Sequence, residues 1–313
     1  MPPSHRTESA EPPDAAGPSA PFLTGYAAFL AERWPPGTTT SNVTTPYGAT
    51  HITSHGPADA AAPPVVLLPG GGATSAVWYA QASHLGRTRR VHAVDLVGQP
   101  GRSTPGERPI RTVADLAAWL DTVLEALCPQ AEGGRPVLAG HSYGAWIALH
   151  HALHAGPRRL AGLVLVDPTQ CFSGFRPAYL LRALPSLLRP TPSRARAFLA
   201  WETAGAALDA DWVRLYAEGA RFPSVRPVTG PRPRPSALRE LTVPTLVLLA
   251  ERGRALDPAR TARAADRSLP DATTYTVPGA THHTLPLHAP AAAEVNHRLD
   301  AFLATLPGTS PAE

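Results

Sequence analysis

Short, wholly apolar runs alternate with amphipathic stretches from residue 64 onward, and few folds accommodate such a rhythm. The runs are PVVLLPG (64–70), RVHAVDLVG (90–98), RPVLAG (135–140), LAGLVLVDP (160–168), VPTLVLLAE (243–251) and TTYTVPG (273–279). A strand with one wet face alternates apolar and polar residues. Most of these do not alternate, so they read as strands buried on both faces. Between them, VADLAAWLDTVLEAL (113–127) carries Leu116, Trp119, Leu120, Val123, Leu124 and Leu127 at helical spacing. GGATSAVWYAQASHLG, YGAWIALHHALHAG, DPARTARAADRSL and PAAAEVNHRLDAFLATL supply the other helices. Strands that alternate with helices predict an α/β fold with a mostly parallel sheet covered on both faces.

Upstream, FLTGYAAFLAERW (22–34) predicts a helix, and NVTTPYGATHITSHG (42–56) two strands and a turn. The first 20 residues have no apolar signal-peptide core and read as a disordered leader. Residues 169–240 break the rhythm. They hold helical pieces (AYLLRALPSLL, SRARAFLAWETAG, ADWVRLYAEGARF) separated by prolines, as in a functional lid or cap. The expected division is a core of 21–168 and 241–308 with a helical cap of 169–240.

Composition narrows the function classes. Of 313 residues 43% are apolar and 17% charged, enough for a large core and against disorder of the whole chain. All 28 basic residues are arginine, and the net charge of +4 is scattered. The one basic stretch, RPVTGPRPRP, lacks interleaved aromatics, which argues against a nucleic-acid partner. No run reaches the ~20 apolar residues of a membrane helix. The two cysteines, Cys128 and Cys171, make neither a disulfide framework nor a metal motif. These features lead to the expectation of a cytoplasmic protein with no membrane partner. Nothing in them bears on oligomeric state.

Three motifs carry chemistry. Ser142 stands in G-H-S-Y-G between a strand and a helix, the context of a nucleophile on a sharp turn. Gly140 and Gly144 let strand and helix approach, and the Tyr143 N–H faces the place where an oxyanion would form. LLPGGGATSAVW puts Gly71 just after a strand as a second oxyanion donor, and no G-K-[ST] follows to make it a phosphate loop. PGATHHTLPLHAP places His282 after the last strand as a general base, with His283 its rival by spacing. His150 and His154 lie at i, i+4 without the glutamate of H-E-x-x-H, so they read as surface or packing residues.

In order and spacing, LLPGGG, DLVGQPGRS, G-H-S-Y-G, LVLVDP, PTLVLLAE and PGATHH resemble the α/β-hydrolase superfamily from about residue 42 to 306. The resemblance implies an eight-stranded, mostly parallel sheet with the cap after the sixth strand. It also implies a Ser142 nucleophile, a His282 base and oxyanion N–H groups from Gly71 and Tyr143. Asp95, in DLVGQPGRS, matches an element that is structural more often than catalytic.

The acid departs from that pattern. Where the family usually carries aspartate after the seventh strand, this chain reads A-E-R-G-R-A-L-D-P with Gly253 at that place. Three carboxylates are available. Asp167 ends the sixth strand and is the first choice. Asp257 is in the expected loop but late, and as Asp-Pro it reads more simply as a helix cap. Glu251 is early.

The function expected is a serine hydrolase of a carboxylic ester, thioester or lactone, with no cofactor and no metal, acting on a small, partly apolar acyl substrate. Acyl transfer, C–C hydrolysis or cofactor-free oxidative chemistry at the same residues is the enzymatic alternative. A binding protein on a hydrolase scaffold is the non-enzymatic one. Leu180, Leu181, Leu184, Leu187, Leu188, Trp201 and Trp212 are expected either to roof an apolar pocket or to pack cap on core.

Overall fold

The computed structural model describes residues 20–129, 135–156 and 159–306. The leader expected over 1–20 lies outside them but for Ala20, which opens a helix. The strands are β1 (Thr39–Thr45), β2 (Gly48–His55), β3 (Val65–Leu68), β4 (Val91–Val94), β5 (Thr104–Pro105), β6 (Val137–His141), β7 (Gly162–Val166), β8 (Thr245–Ala250) and β9 (Ala272–Val277). They form one sheet in the order β1-β2-β4-β3-β6-β7-β8-β9, with β5 beside β2. Pairings from β4 through β3 to β9 are parallel, and those of β2 with β1, β4 and β5 are antiparallel.

The sheet therefore has nine strands rather than eight. The addition, β5, is two exposed residues ending in proline, too short to leave a hydrophobic pattern and tolerable only at an edge. Counting β5, the helical insertion follows the seventh strand in chain order.

Helices fill the connections: α1 (Ala20–Arg33), α2 (Tyr79–Leu85), α3 (Val113–Leu127), α4 (Tyr143–Ala155), α5 (Pro177–Leu188), α6 (Pro192–Glu202), α7 (Ala210–Gly219), α8 (Pro235–Arg239), α9 (Pro258–Ser268), α10 (Thr284–Leu287) and α11 (Ala289–Ala304). The apolar runs of β3, β4, β6, β7 and β8 are buried on both sides because successive side chains enter opposite layers, while β9, at the edge, is only partly buried. Val65 and Leu67 of β3 join the core under α1, α2 and α11. Val66 and Leu68 join the core under α3, α4 and α9. Among the described residues no helix is long and apolar enough to cross a membrane.

Helices α5 to α8 lie between β7 and β8. Helix α1 grips α7: Arg33 reaches Asp209 at 2.7 Å and Asp211 at 2.9 Å, and the Phe22 ring meets Phe222 edge-on at 5.3 Å. Leu238 of α8 joins the core below.

The leucines of α5 neither roof a pocket nor pack on the core. Leu180, Leu181, Leu184, Leu187 and Leu188 are 46–74% exposed. The face that packs inward is instead Tyr179 and Ala183, with Tyr179 against the rings of Phe198 and Trp201. Trp212, by contrast, is core. Trp201 is half-buried, with the Arg254 guanidinium 4.8 Å above its ring.

Candidate active site

Parallel strands place their carboxyl ends on one edge, and loops there are where α/β sheets gather functional groups. Gly71 follows β3, Ser142 follows β6, Asp167 follows β7 and His282 follows β9. Four separate segments thus deliver the expected residues to one edge.

Ser142 links β6 to α4 in a turn that ordinary side chains disfavour. Its φ of 54° and ψ of −113° lie outside the common basins, at a cost of about 1–3 kcal/mol. The surroundings hold it there: its N–H donates to the Val166 carbonyl at 2.9 Å. The flanking glycines are steric necessities. A Cβ on Gly140 would lie 2.3 Å from the Gly144 backbone, and one on Gly144 would lie 2.4 Å from the Leu68 carbonyl oxygen. Tyr143 is the first residue of α4, so its N–H has no partner within the helix. A Cβ on Gly71 would stand 3.7 Å from Tyr143 Cβ, so the two backbones adjoin.

Asp167 and His282 are bonded, Oδ2 to Nδ1, at 2.5 Å, and both side chains are almost fully buried. The carboxylate is anchored in turn, because Oδ1 accepts the Ala250 N–H at 3.1 Å while the Asp167 N–H donates to the Leu248 carbonyl at 2.7 Å. Burial alone would push the His282 imidazole down. The hydrogen bond and charge of Asp167, with the charge of Glu202 beyond it, push it above its ordinary value. A Cβ on Gly253 would sit 3.6 Å from Asp167 Oδ2. Asp167 therefore fills the space that a side chain at 253 would enter.

The other carboxylates are occupied elsewhere. Asp257 caps α9, accepting the Arg260 N–H at 2.9 Å. Glu251 accepts the Gly279 N–H at 2.7 Å on the surface. Asp95 ties the β4–β5 connection together, accepting N–H groups of Ser75 (2.8 Å) and Arg102 (2.9 Å) and the Tyr26 hydroxyl. His154 Nδ1 donates to the His150 carbonyl, and the His150 ring lies on Trp146. His283 bonds through Nδ1 to Glu202, not to Asp167.

Two residues of this cluster escape the sequence reading. His141 Nε2 donates to the His282 carbonyl at 2.9 Å, and the two rings lie 4.6 Å apart. Burial, with His282 and His283 nearby, holds His141 well below its usual pKa and so neutral. The His282 ring thus lies against the residue that precedes Ser142 in the chain. Glu202, the last residue of α6, is fully buried against the His282 loop. Its signal is faint: the one acid in PSRARAFLAWE, with Phe198 and Leu199 a turn earlier marking an inward face.

A model of the alpha/beta hydrolase family matches residues 65–296. The sequence is 33% identical over 156 residues to carboxylesterase YbfK of Bacillus subtilis, a match that spans half of each chain. The crystal structure of that carboxylesterase, CesB (YbfK), aligns with a TM-score of 0.81 at 26% identity over 91% of this chain and 98% of the other. The uncharacterized carboxylesterase nap of the same species is 27% identical over 290 residues, 88% of this chain and 90% of that one. The Bacillus subtilis naproxen esterase structure aligns with a TM-score of 0.83 at 26% identity, over 93% and 99% of the two chains.

Proposed function

The chain belongs to the alpha/beta hydrolase family, and from that premise we propose that it hydrolyses carboxylic esters through an acyl-enzyme on Ser142. One observation carries the reading: the buried Asp167–His282 bond on the strand edge that also bears the strained Ser142. The carboxylesterase names of the relatives support esters over the other chemistries of the fold.

The steps follow from the groups. His282, its Nδ1 bonded to Asp167, presents Nε2 as the base that takes the Ser142 hydroxyl proton while Oγ attacks the carbonyl carbon. Charge then builds on the carbonyl oxygen, where the Tyr143 and Gly71 N–H groups receive it. The C–O bond breaks as His282 returns the proton to the alcohol. Water, deprotonated by the same imidazole, releases the carboxylic acid and restores the serine. Helices α5 to α7 act as a cap over this edge. Free, buried thiols at Cys128 and Cys171 support work in a reducing compartment such as the cytoplasm.

Purified protein is given p-nitrophenyl esters of graded acyl length and, separately, a fluorophosphonate probe. The expected result is turnover and stoichiometric labelling, both lost in Ser142→Ala. Folded wild type that neither turns over nor labels overturns the proposal.

A further inference from the structure

Glu202 is a carboxylate in an expensive place. It is fully buried and closes the C-terminal end of α6, where the helix dipole opposes negative charge. Its hydrogen-bond partners among the described residues all lie on residues 281–283. Oε1 accepts the His282 N–H at 2.9 Å, and Oε2 accepts the His283 N–H at 3.1 Å and bonds His283 Nδ1 at 2.8 Å. The Thr281 hydroxyl reaches Oε2 at 3.5 Å. Burying an ion among neutral donors costs more than filling the space with apolar atoms, so packing alone does not account for it.

The partners do account for it. The His282 peptide is held at three points by three elements. Glu202 of α6 holds its N–H, His141 of β6 its carbonyl, and Asp167, after β7, its imidazole. We propose that Glu202 is a positioning residue by which the cap presents the His282 base, so that the reactive geometry exists only while α6 lies over the catalytic loop. The proposal rests on the reading of Ser142 and His282 as nucleophile and base.

Charge adds to position. Burial opposes ionisation of Glu202, yet the hydrogen bonds and charge of His283, with the charge of His282, hold it down to about 2. When His282 takes the serine proton, the new cation faces Asp167 directly and Glu202 behind it. The other titratable groups around the pair are His141 from β6, His283 on the same loop, Tyr179 from α5 and Tyr216 from α7. Burial holds His141 neutral and keeps both tyrosines protonated. Withdrawing α6 takes away both the N–H acceptor and the second negative charge, leaving a looser, less basic imidazole.

The test compares wild type, Glu202→Gln and Glu202→Asp on p-nitrophenyl acetate across pH. Gln has nearly the size of Glu but no charge, and its amide NH2 turns a donor toward donors. It is expected to lower kcat by about 10- to 100-fold with KM little changed. It should also move the acid limb of kcat/KM to lower pH. Asp keeps the charge but falls a methylene short, so kcat drops while the limb stays nearer wild type. A folded Glu202→Gln with wild-type kcat and limb overturns the proposal, as does a loss confined to KM. If Glu202→Gln does not fold, Glu202→Asp decides, and an unchanged kcat there overturns it equally.

An NMR titration of His282 in Ser142→Ala protein, with and without Glu202→Gln, needs no turnover. The proposal expects the His282 pKa to fall in the double variant, and no fall overturns it. Failure of the esterase reading would show differently, as no Ser142-dependent hydrolysis by wild type.

Discussion

In the proposed mechanism the bond between His282 Nδ1 and Asp167 does two jobs at once. It fixes the imidazole with Nδ1 toward the carboxylate, which leaves Nε2 for the proposed base role, and in the proposed mechanism it stabilises the cation that forms when the serine proton arrives. Asp167→Asn keeps the shape and loses the charge, so kcat should drop by up to about 10⁴. His282 must be neutral to act as base, and its pKa lies above 6.5 because Asp167 overcomes the burial penalty. The acid limb of kcat/KM in wild type should therefore sit above 6.5, and in Asp167→Asn below the wild-type limb. A limb that did not move between the two would remove Asp167 from the role. The space beside Gly253 offers a second check. Adding Gly253→Asp to Asp167→Asn puts a carboxylate back within reach, 3.6 Å being the gap from its Cβ to the old Oδ2 position. Ala250 stands 3.2 Å from that Cβ and must give slightly, so partial recovery of kcat is the expected outcome. No recovery in folded double variant would show that the space is not equivalent.

At the scale of elements, the serine turn depends on how closely β6, α4 and β3 approach one another. Gly144 touches the backbone of Leu68 and Pro69, which cannot move aside without shifting β3. Gly144→Ala should cost about 1–3 kcal/mol, read as a lower urea midpoint at unchanged m-value. It should also slow fluorophosphonate labelling of Ser142, and a variant that labels and unfolds like wild type would contradict the close-packing argument. This contact was legible in G-H-S-Y-G because a glycine on each side of a serine, between strand and helix, has a backbone cause. The α5 leucines depart from the pocket-roofing or core-packing role that their spacing predicts. Their helical spacing is genuine, but periodicity reports that a face is apolar, not which side of the helix meets the protein. Tyr179 and Ala183 took the inward side, and the leucines were left outside.

For the molecule as a whole, buried titratable groups set how stability varies with pH. Burial pushes His92 down to about 4 and His141 well below 6.5, so both favour the neutral form when folded. Both contributions are complete above the unfolded pKa of 6.5 and decline as pH falls below it, that of His92 being lost as pH falls toward about 4. Glu202 follows at lower pH: its contribution is present above 4.5 and lost as pH falls toward about 2. His282, raised rather than lowered, acts in the opposite sense, its contribution being full below 6.5 and lost as pH rises through its folded pKa. Urea midpoints should therefore begin to decline below about pH 6.5, before the carboxylates titrate. A midpoint constant from pH 7 down to the carboxylate range would show these histidines to be hydrated in the native state.

The sheet, its helices, the serine turn and the histidine loop follow from the chain read locally, because each leaves its cause in neighbouring residues. A strand buried on both faces must be continuously apolar, and a strained turn must be flanked by glycine. The carboxylate that meets His282 and the contacts of Glu202 have no such local trace. Asp167 meets His282 across 115 positions and Glu202 meets it across 80. Among Asp167, Asp257 and Glu251 the sequence could only rank. Which carboxylate meets His282 depends on β7, β8 and β9 lying side by side, and the Glu202 contacts on α6 folding back over their carboxyl ends. Those are consequences of packing between distant segments, and only the tertiary structure decides them.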